Sequence, residues 1–587
     1  QALNATKNHY GENISLVFGC GGDRDFKKRS LMAKVANSIC KKIYITDDNP
    51  RNERPEKIRN EIAKHIKNDK FLNIGDRVKA IKTAISNAGP NETILISGKG
   101  HETQQIYKNK ILSISDKEIV KKIKLRNNLS IKKLNLIENN KILQNIVKNF
   151  SLRNFNGISI DSRTVKKDNL FLTIKGKNND GTKFISKALD NGAKYIVSSK
   201  NNKKYKKKLI KVTSEINFLN KFAELKRKKT NAKIIAITGS AGKTSLKNLI
   251  SDLLENFGKT FSSPKSFNNH FGVPLSLSHL NVEHKYGVFE LGMSNAGEIF
   301  SLSKLVKPHI GIITNIGEAH IENFENVKGI ADAKSEIILN IKKGGTIILN
   351  RDDEYFAHLK KKAKSKKIHV VSFGLSKKSD LHPFRISKNG NFTKLSIKIN
   401  NQIIHLKVKN INIYNVLSSL ALLKELKLNI KKISKYFENF QPSEGRGRIY
   451  SIKKFNKKFK LIDESYNANP LSVKTAINNL SSIKKTNFKK YLLLGDMLEL
   501  GKKSDNFHKD LSKVINNSDI DKVFIKGSKT LITYKNINKN KRGNILQVDE
   551  DIDFTLKNFI ANNDYLLIKG SNATGLNRLT KRIIKGR

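Results

Sequence analysis

Residues 232–245 read AKIIAITGSAGKTS, and the fold of the surrounding chain follows from this stretch. Residues 234–237 are apolar and have the length and the β-branched content of a buried parallel strand. The glycine-rich residues 238–245 come next, and residues 246–256 have the pattern of a helix. A strand, a glycine turn and a helix start in this order predict a loop that binds phosphate groups.

The loop contains the residue types that a bound nucleotide needs. Glycines let backbone N–H groups close around an anion, and the helix start adds partial positive charge. Lys243 would neutralise the outer phosphates, and the Thr244 hydroxyl is placed to bind Mg²⁺. Ile237 stands where the general pattern has its first glycine, so this is a shortened variant. We predict an ATP site formed by Thr238, Gly239, Ser240, Ala241, Gly242, Lys243, Thr244 and Ser245.

The composition limits the class of protein. A chain of 587 residues, 38% of them hydrophobic, is expected to hold several domains of about 100–200 residues. Two cysteines argue against a disulfide framework, and the sequence has no signal peptide or apolar stretch of about 18 residues. We therefore expect a cytoplasmic protein that is not inserted in a membrane. Because the first residue is Gln1, we also expect the sequence to be part of a longer chain.

The net charge of +62 has two interpretations. Patches of lysine and arginine bind nucleic acids by releasing counterions from the phosphate backbone. Here the lysines are scattered through every segment, without a basic stretch interleaved with aromatic residues, which favours solvated faces. We therefore expect no nucleic-acid partner, and a basic nucleic-acid-binding ATPase stays the alternative from another class. The positive field would favour phosphorylated small substrates.

Three polar clusters follow three predicted strands in the first part of the chain. They are GCGGDRD at residues 19–25, DNPR at residues 48–51 and GKGHE at residues 98–102. Since open α/β sheets bind ligands at the carboxyl ends of their strands, the clusters predict a binding crevice. They resemble the C-terminal domain of the Mur ligase family, in the members that add meso-diaminopimelate.

This resemblance implies a diaminopimelate site. Arginine forks and carboxylate partners suit a ligand that carries both carboxylates and amines. Residues 1–122 alone are not expected to catalyse the family's reaction, so we weigh a fusion of two consecutive ligases against a vestigial domain. The residues implied by the resemblance are Arg24, Asp48, Asn49, Pro50, Arg51, Gly98 and Glu102.

Residues 150–228 contain DSRTV, LFLTIKG and a later Asp-Gly pair, which resemble the UDP-substrate domain of Mur ligases. The resemblance implies that Ser162 and Arg163 contact diphosphate or uridine groups. Residues 123–149 are highly charged and lack glycine and proline, so we interpret them as a helical or extended linker.

Polar side chains follow the strands predicted downstream of the phosphate loop. Glu290 ends one strand, Asn315 and His320 follow another, and Asn350 ends a third; Lys334 is expected at a helix start. An ATP-driven ligase needs metal contacts because charge builds between the attacking carboxylate and the γ-phosphate. Carboxylate, hydroxyl and imidazole groups are suitable ligands.

The resemblance to Mur ligases implies roles for these residues. Thr244, Glu290, His320 and a carbamylated Lys334 would bind Mg²⁺, and Asn350 would lie near the adenine, with Asn315 in the ATP site. The chain departs from the family pattern at residues 409–415, where Lys409 and Ile411 replace a glycine and a histidine.

The last part of the chain contains EGRGR at residues 444–448, DESYNANP at residues 463–470 and LLLGDMLELG at residues 492–501. These stretches resemble the Mur ligases that join D-alanyl-D-alanine to UDP-MurNAc-tripeptide. The resemblance implies that Arg446 reaches the ATP phosphates. It also implies a substrate-binding set formed by Asp463, Glu464, Tyr466, Asn467 and Asn469.

The predicted fold class is α/β. It is a multidomain Mur ligase with a phosphate-loop central domain and a Rossmann-like C-terminal domain, preceded by an extra Rossmann-like α/β domain. The predicted segments are residues 1–122 (extra domain), 123–149 (linker), 150–228 (UDP-substrate domain), 229–437 (ATP-binding domain) and 438–587 (C-terminal domain).

The predicted reaction forms an amide bond through an acyl phosphate. UDP-MurNAc-tripeptide and D-alanyl-D-alanine are the expected small-molecule substrates of a monomer that uses ATP and Mg²⁺, with Lys243, Lys334 and His320 as catalytic residues. The alternative within the same superfamily is another ATP-dependent ligase, such as a folylpolyglutamate synthetase, which would lack a DESYNANP-like motif.

Overall fold

The computed structural model describes residues 2–10, 13–88, 92–100, 102–147, 154–176, 179–389, 392–409, 411–484 and 486–585. The chain divides into two compact units. The first consists of Gln1–Ala232 with Phe257–Lys259 and Ser278–Lys285. The second consists of Lys233–Asn256, Thr260–Leu277 and Tyr286–Arg587.

The first unit contains two four-stranded sheets, with the strand orders β3-β2-β1-β4 and β10-β9-β8-β7, and a β5–β6 hairpin. All pairs within the two sheets are parallel. The strands are β1 (Ile14–Phe18), β2 (Lys42–Ile45), β3 (Phe71–Asn73), β4 (Thr93–Ile96), β5 (Gln104–Tyr107), β6 (Lys110–Ser113), β7 (Gly157–Ser159), β8 (Asn169–Leu172), β9 (Ala193–Ser198) and β10 (Leu209–Lys211). The helices are α1 (Ala2–Tyr10), α2 (Lys27–Ile39), α3 (Pro55–Ala63), α4 (Arg77–Asn87), α5 (Asp116–Ile146), α6 (Ile185–Asp190) and α7 (Glu215–Lys229).

Strand β1 is buried along its whole length, because helices cover both faces of its sheet. Successive side chains of a strand point to opposite faces. Leu16 packs in a core with residues of α2 and α3, and Val17 packs in another with residues of α4 and α5. The carboxyl ends of β1, β2 and β4 therefore meet at one edge of the sheet, where their polar clusters follow.

Helix α5 runs without a break across the predicted boundary between residues 122 and 123. At its start, Asp116 forms a buried bidentate ion pair with Arg77 (2.9 and 2.7 Å). Near its other end, Glu138 lies 3.4 Å from Nζ of Lys226, a fully buried lysine of α7. The helix is thus held at both ends, and residues 123–146 of the predicted linker are helical. The domain boundaries themselves stay predictions.

The second unit contains two six-stranded sheets and a three-stranded antiparallel sheet, β17-β18-β19. The strands are β11 (Lys233–Thr238), β12 (Thr260–Ser262), β13 (Tyr286–Glu290), β14 (Ile310–Ile313), β15 (Thr346–Asn350), β16 (His369–Phe373), β17 (Pro383–Asn389), β18 (Phe392–Ile399), β19 (Gln402–Val408), β20 (Arg448–Lys454), β21 (Lys457–Glu464), β22 (Lys490–Gly495), β23 (Lys522–Lys526), β24 (Arg542–Ile545) and β25 (Tyr565–Lys569). The helices are α8 (Lys243–Glu255), α9 (Gly272–Ser278), α10 (Glu298–Val306), α11 (Val327–Ser335), α12 (Phe356–Ser365), α13 (Ile413–Glu425), α14 (Tyr436–Asn439), α15 (Pro470–Ser481), α16 (Ser504–Asn516), α17 (Thr530–Asn536), α18 (Asp551–Phe559) and α19 (Leu576–Lys585).

The two large sheets have the parallel topology that the sequence predicts. The central sheet has the order β12-β13-β11-β14-β15-β16 and is parallel throughout. The C-terminal sheet has the order β20-β21-β25-β22-β23-β24, and the β20–β21 pair is its antiparallel edge. Because parallel strands end at a common edge, the loops after β11, β13, β14 and β15 lie near one another. The predicted α/β fold class is confirmed.

Two local predictions differ from the structure. Helix α8 begins at Lys243 and not at residue 246, because Gly242 turns the chain directly into the helix with a left-handed φ of 80°. Lys334 lies in the last turn of α11 and not at a helix start. That helix begins after Asn326, whose side chain accepts a hydrogen bond from Gly329 N (3.1 Å).

A search of the described helices for a membrane-spanning segment finds none that is both long and apolar enough.

Candidate active site

The phosphate loop is fixed against the end of strand β14. The Ser240 amide donates to Asn315 O (3.0 Å), and the Ala241 amide donates to Asn315 Oδ1 (2.8 Å). Thr314 Oγ1 donates to Ala241 O (2.6 Å). Gly239 has a φ of 145°, and a Cβ at this position would collide with Thr314 Oγ1. The glycine-rich motif and the end of β14 therefore determine the loop conformation together. Asn315 holds the loop by accepting hydrogen bonds from two of its amides.

Lys243 and Thr244 occupy the first turn of α8. Nζ of Lys243 donates to Gly239 O (2.7 Å), so the side chain folds back over the loop. The hydroxyl of Thr244 lies 3.4 Å from Ser266 Oγ. Burial lowers the pKa of Lys243; the Glu290 carboxylate opposes this effect, and the charge of Arg446 adds to it. The loop thus presents a cation and a hydroxyl where nucleotide phosphates and Mg²⁺ would bind.

Arg446 brings the start of the C-terminal domain to the same place. Its Nη2 donates to Ser266 Oγ (3.3 Å), and its guanidinium lies 4.2 Å from the ring centroid of Tyr466. Burial lowers the pKa of Arg446, and the Glu290 carboxylate opposes that shift. Ser266 thereby joins Arg446 to Thr244, so both side chains border one site.

Glu290 is a buried carboxylate with one unsatisfied oxygen. The residue is 1% exposed, and its Oε1 accepts a hydrogen bond from Asn268 Nδ2 (2.7 Å). Oε2 has no hydrogen-bond partner among the described residues. An unpartnered buried carboxylate oxygen is costly, and carboxylates and hydroxyls are ligands that Mg²⁺ prefers. Glu290 and Thr244 therefore fit a magnesium ion.

The described residues contain no group of three His, Cys, Asp or Glu side chains arranged around a metal position. A metal ion at Glu290 would depend on hydroxyl, nucleotide and water oxygens for its other ligands, as Mg²⁺ commonly does.

His320 contacts the C-terminal domain through its imidazole. Its Nδ1 lies 2.7 Å from Oε2 of Glu499, and its side chain is 25% exposed. The two groups are within ion-pair distance without meeting hydrogen-bond geometry, and the nearby imidazole lowers the pKa of Glu499. Both residues have left-handed backbone angles, with φ values of 59° and 62°. The structure therefore engages one imidazole nitrogen with a carboxylate that the sequence analysis did not assign to the site.

Lys334 is buried in the last turn of α11, with an exposure of 1%. Burial, and then the positive charge of Lys243, hold the pKa of Lys334 well below its ordinary value. Burial and a neighbouring cation therefore both shift this side chain toward its neutral amine.

The two acids of the DESYNANP stretch have separate environments. Asp463 accepts hydrogen bonds from Gly445 N (2.7 Å) and from Ser465 Oγ (2.6 Å), so it fixes the turn. Glu464 lies 3.2 Å from Nζ of Lys569, which also donates to Asn467 O (2.8 Å). Burial lowers the pKa of Lys569, and Glu464 opposes that shift. Glu464 is thus the acid with a cationic partner, and Asp463 supports the backbone.

Asn469 joins this stretch to the phosphate loop. Its Nδ2 donates to Ser240 O (3.1 Å), while its Oδ1 accepts from Ser472 N (2.8 Å) as the N-cap of α15. Tyr466 and Asn467 are exposed beside it. The residues that the sequence assigns to ATP and those that it assigns to the acceptor substrate are therefore in direct contact.

Asn350, predicted near the adenine, makes a local turn. Its Oδ1 accepts from Asp352 N (3.1 Å).

In the first unit, Ser162 is 5% exposed and begins a short 3₁₀ turn. Arg163 forms a surface ion pair with Asp161 (2.7 Å) and is 77% exposed.

The diaminopimelate candidates of the first unit meet around a buried lysine. Lys99 is 2% exposed and donates to Asn49 Oδ1 (2.7 Å), with Asp48 Oδ1 at 3.5 Å. Asn49 Nδ2 donates to Glu102 Oε2 (3.0 Å), and Arg51 Nη1 donates to Gly22 O (2.7 Å). The three polar clusters are therefore adjacent. Arg24 and Gly98 are exposed, Pro50 is buried, and His101 of the third motif lies outside the described residues.

Several side chains of the site were missing from the sequence assignment. Each stands at the end of a strand or in the loop that follows it, which is the signal that could have identified it. They are Lys99, Ser266, Asn268, Glu499 and Lys569.

A phosphate loop on a parallel sheet, a buried acid beside it and a second α/β domain in contact with it define a class of nucleotide-dependent enzymes. Family models give its identity. The Mur ligase middle domain matches residues 237–423, and the Mur ligase family catalytic domain matches residues 154–235. The Mur ligase glutamate ligase domain matches twice, over residues 1–100 and 447–572. The chain belongs to the Mur ligase family and is a ligase.

Individual relatives carry a more specific name. The chain is 32% identical over 437 residues to a UDP-N-acetylmuramoyl-tripeptide–D-alanyl-D-alanine ligase from Buchnera aphidicola, covering 73% of this chain and 92% of that protein. It is 32% identical over 431 residues to a protein of the same name from Rickettsia prowazekii, covering 73% and 94%.

Solved structures of ligases from the same family are similar to this chain. The crystal structure of MurF from Acinetobacter baumannii matches with a TM-score of 0.67 and 26% identity, covering 76% of this chain and 98% of that one. MurF ligase from Thermotoga maritima in complex with ADP matches with a TM-score of 0.63 and 25% identity, covering 73% and 97%.

Proposed function

We propose that the chain joins D-alanyl-D-alanine to UDP-MurNAc-tripeptide at the expense of ATP. The observation that carries this proposal is the hydrogen bond between Asn469 and Ser240, which connects the predicted acceptor stretch to the phosphate loop. The relatives named above act on these substrates by name, and the chain covers more than nine-tenths of each.

The reaction would proceed in two steps. The terminal carboxylate of the tripeptide attacks the γ-phosphorus of ATP; the bond to the β-phosphate oxygen breaks, giving an acyl phosphate and ADP. The amine of D-alanyl-D-alanine then attacks the acyl carbon, phosphate leaves, and the amine loses a proton. Lys243, Arg446 and the loop N–H groups would hold the phosphates in line with the attacking carboxylate.

Mg²⁺ held by Thr244, Glu290 and His320 would supply charge compensation between the phosphate and carboxylate groups. The chain's own residues prepare that position. Asn268 orients the Glu290 carboxylate by donating a hydrogen bond to it. The Ser266 hydroxyl lies between the Arg446 guanidinium and the Thr244 hydroxyl and contacts both.

Lys334 is proposed to carry a carbamate. Its lowered pKa favours the neutral amine, which can attack CO₂ to form an N–C bond with loss of one proton. The product is an anion among cations. This would place a negative group beside the Lys243 cation.

For the first unit, we propose that the clusters around Lys99 bind meso-diaminopimelate and that this segment derives from a diaminopimelate-adding ligase fused to the second enzyme. Arg51 and Glu102 supply the two charges that such a zwitterionic ligand requires. Calorimetric titration of the full chain with diaminopimelate tests this, with Glu102→Gln expected to weaken binding. Equal heats with and without the substitution would leave a vestigial domain as the better explanation.

The test of the main proposal is ADP release by the full chain with ATP, Mg²⁺ and UDP-MurNAc-tripeptide. Release should depend on D-alanyl-D-alanine and fall by about two orders of magnitude or more in Lys243→Ala, since phosphate-binding groups are worth several kcal/mol. Lys361→Ala, on the exposed face of α12, is the matched lysine control. ADP release that ignores the dipeptide, or a fully active Lys243→Ala variant, would refute the proposal.

A further inference from the structure

A loop of the C-terminal domain rests on the segment that carries His320. This loop, residues 496–503, follows strand β22, and it includes the Glu499 carboxylate that lies 2.7 Å from His320 Nδ1. The contact is made at the back of the imidazole, on the nitrogen adjacent to the side-chain stem. A metal ligand histidine is typically oriented by a carboxylate on its other ring nitrogen.

The two segments are joined at more than this one point. The Glu322 amide donates to Glu499 O (3.4 Å), and Nζ of Lys503 donates to Glu325 O (3.1 Å). These contacts position the Glu499 carboxylate. The first fixes the backbone of Glu499 against Glu322, two residues after His320, and the second fixes the end of the loop.

The backbone at this contact is in an unfavourable conformation on both sides. His320 and Glu499 both have left-handed φ angles, of 59° and 62°; this region is uncommon for residues other than glycine, and glutamate adopts it less readily than histidine, asparagine or aspartate. Gly501 has a φ of 55°, and a Cβ at this position would lie 2.9 Å from the Cβ of Glu322. Strained residues of this kind persist where the surrounding structure holds them, and they concentrate at functional sites.

We propose that Glu499 is a positioning residue that orients His320, so that docking of the C-terminal loop completes the metal-binding site. The inference rests on the proposed function only in taking His320 as a metal ligand. The metal site would be fully formed only when the loop at residues 496–503 is in place. The C-terminal domain would therefore contribute to the step that uses ATP.

The test measures metal binding and not turnover. Mn²⁺ serves as the probe, titrated into the full chain with ADP present and followed by electron paramagnetic resonance. Glu499→Gln is expected to weaken Mn²⁺ binding by about tenfold or more, the usual effect of removing such a partner. His320→Ala should weaken binding similarly, and the double variant should show little further loss because the two residues act through one contact.

Two further variants make the outcome decisive. Gly501→Ala keeps the carboxylate but presses on Glu322, so it should weaken Mn²⁺ binding as well. Glu550→Gln removes an exposed carboxylate at the N-cap of α18 that pairs with Arg582 of α19, and this variant should bind Mn²⁺ as the unmodified chain does. Thermal melts establish that each variant is folded.

Unchanged Mn²⁺ binding in both Glu499→Gln and Gly501→Ala would overturn the inference, as would fully additive losses in the double variant or no Mn²⁺ binding by the unmodified chain. The ligase assay separates this from the proposed function. A chain that forms no product but loses Mn²⁺ affinity in Glu499→Gln would refute the proposed substrates and support the role of Glu499.

Discussion

Nδ2 of Asn469 donates to the carbonyl oxygen of Ser240 (3.1 Å), so the N-cap of a C-terminal helix is hydrogen bonded to the phosphate loop of the central domain. One side chain therefore has two separable tasks. It caps α15 through Oδ1 and contacts the loop through Nδ2.

Asn469→Ser separates these tasks. Serine keeps a capping oxygen but loses the amide donor, so helix stability should be nearly unchanged while the KM for ATP rises by about tenfold, because a buried carbonyl loses its partner. Asn469→Ala should in addition lower the free energy of unfolding by about 1 kcal/mol. The measurements are urea denaturation and initial rates of ADP release. A KM for ATP that stays constant in both variants would contradict the assignment.

Gly239→Ala should abolish most nucleotide binding. Alanine adopts a φ of 145° only with strain. The new Cβ would also collide with Thr314 Oγ1, which donates a hydrogen bond to Ala241 O. Strain of about 1–3 kcal/mol corresponds to roughly a tenfold or greater loss of affinity. Binding of a fluorescent ADP analogue measures it.

Gly344→Ala is the control for backbone strain in that experiment. Gly344 also has a left-handed φ, of 73°, but a Cβ there would have no neighbour within 4 Å. Equal losses in the two variants would show that the clash with Thr314 is unimportant.

A carbamate on Lys334 should be visible directly. With ¹³C-enriched bicarbonate, the full chain should give a carbamate carbonyl resonance that disappears in Lys334→Arg, because arginine cannot form the adduct at neutral pH. Signal and activity should rise together as pH increases toward the lowered pKa of Lys334, since only the neutral amine reacts. A spectrum unaffected by the substitution would contradict the carbamate.

His508 should make the second unit sensitive to mild acid. The residue is 0% exposed; its Nδ1 donates to Ser504 O (2.8 Å) and its Nε2 accepts from Met497 N (3.1 Å), an arrangement that needs the neutral ring. Burial lowers the pKa of His508, so the unfolded chain binds more protons than the folded one near that pKa.

The free energy of unfolding should therefore decrease as pH falls below the ordinary histidine value of about 6.5. His508→Gln, which keeps one donor and one acceptor but cannot gain a proton in this range, should show a shallower decrease between about pH 7.5 and about pH 5.5. Urea denaturation at both values provides the comparison. Identical pH dependence in the two proteins would show that other groups are responsible.

The sequence could predict strands, sheets and the phosphate loop because these depend on local pattern. Buried β-branched runs such as residues 234–237, followed by glycine and polar clusters, have one physical solution, a parallel strand ending at a ligand-binding edge. Asn315 and Glu290 were found for the same reason, since each stands at or just beyond such a strand.

What the sequence could not predict depends on contacts between distant segments. The sequence predicts Lys334 at a helix start, but the helix begins after its N-cap Asn326, so Lys334 lies in its last turn. Glu499 contacts His320 where loops from different sheets meet. The different roles of Asp463 and Glu464 also depend on contacts with distant segments. No spacing in the chain encodes that meeting.

Helix α5 has a consequence for how the chain can be cut. A fragment that begins after residue 122 would lose the buried Arg77–Asp116 pair, while Glu138 further along the same helix faces the buried Lys226 of α7. Glu138 can cover the Lys226 ammonium only while residues 123–146 keep their helix, and without that carboxylate the ammonium would be buried and uncompensated, at a cost of about 3–5 kcal/mol. Helix α5 is held by α4 near its start and by α7 near its end, so a cut at the predicted boundary would divide a single structural element.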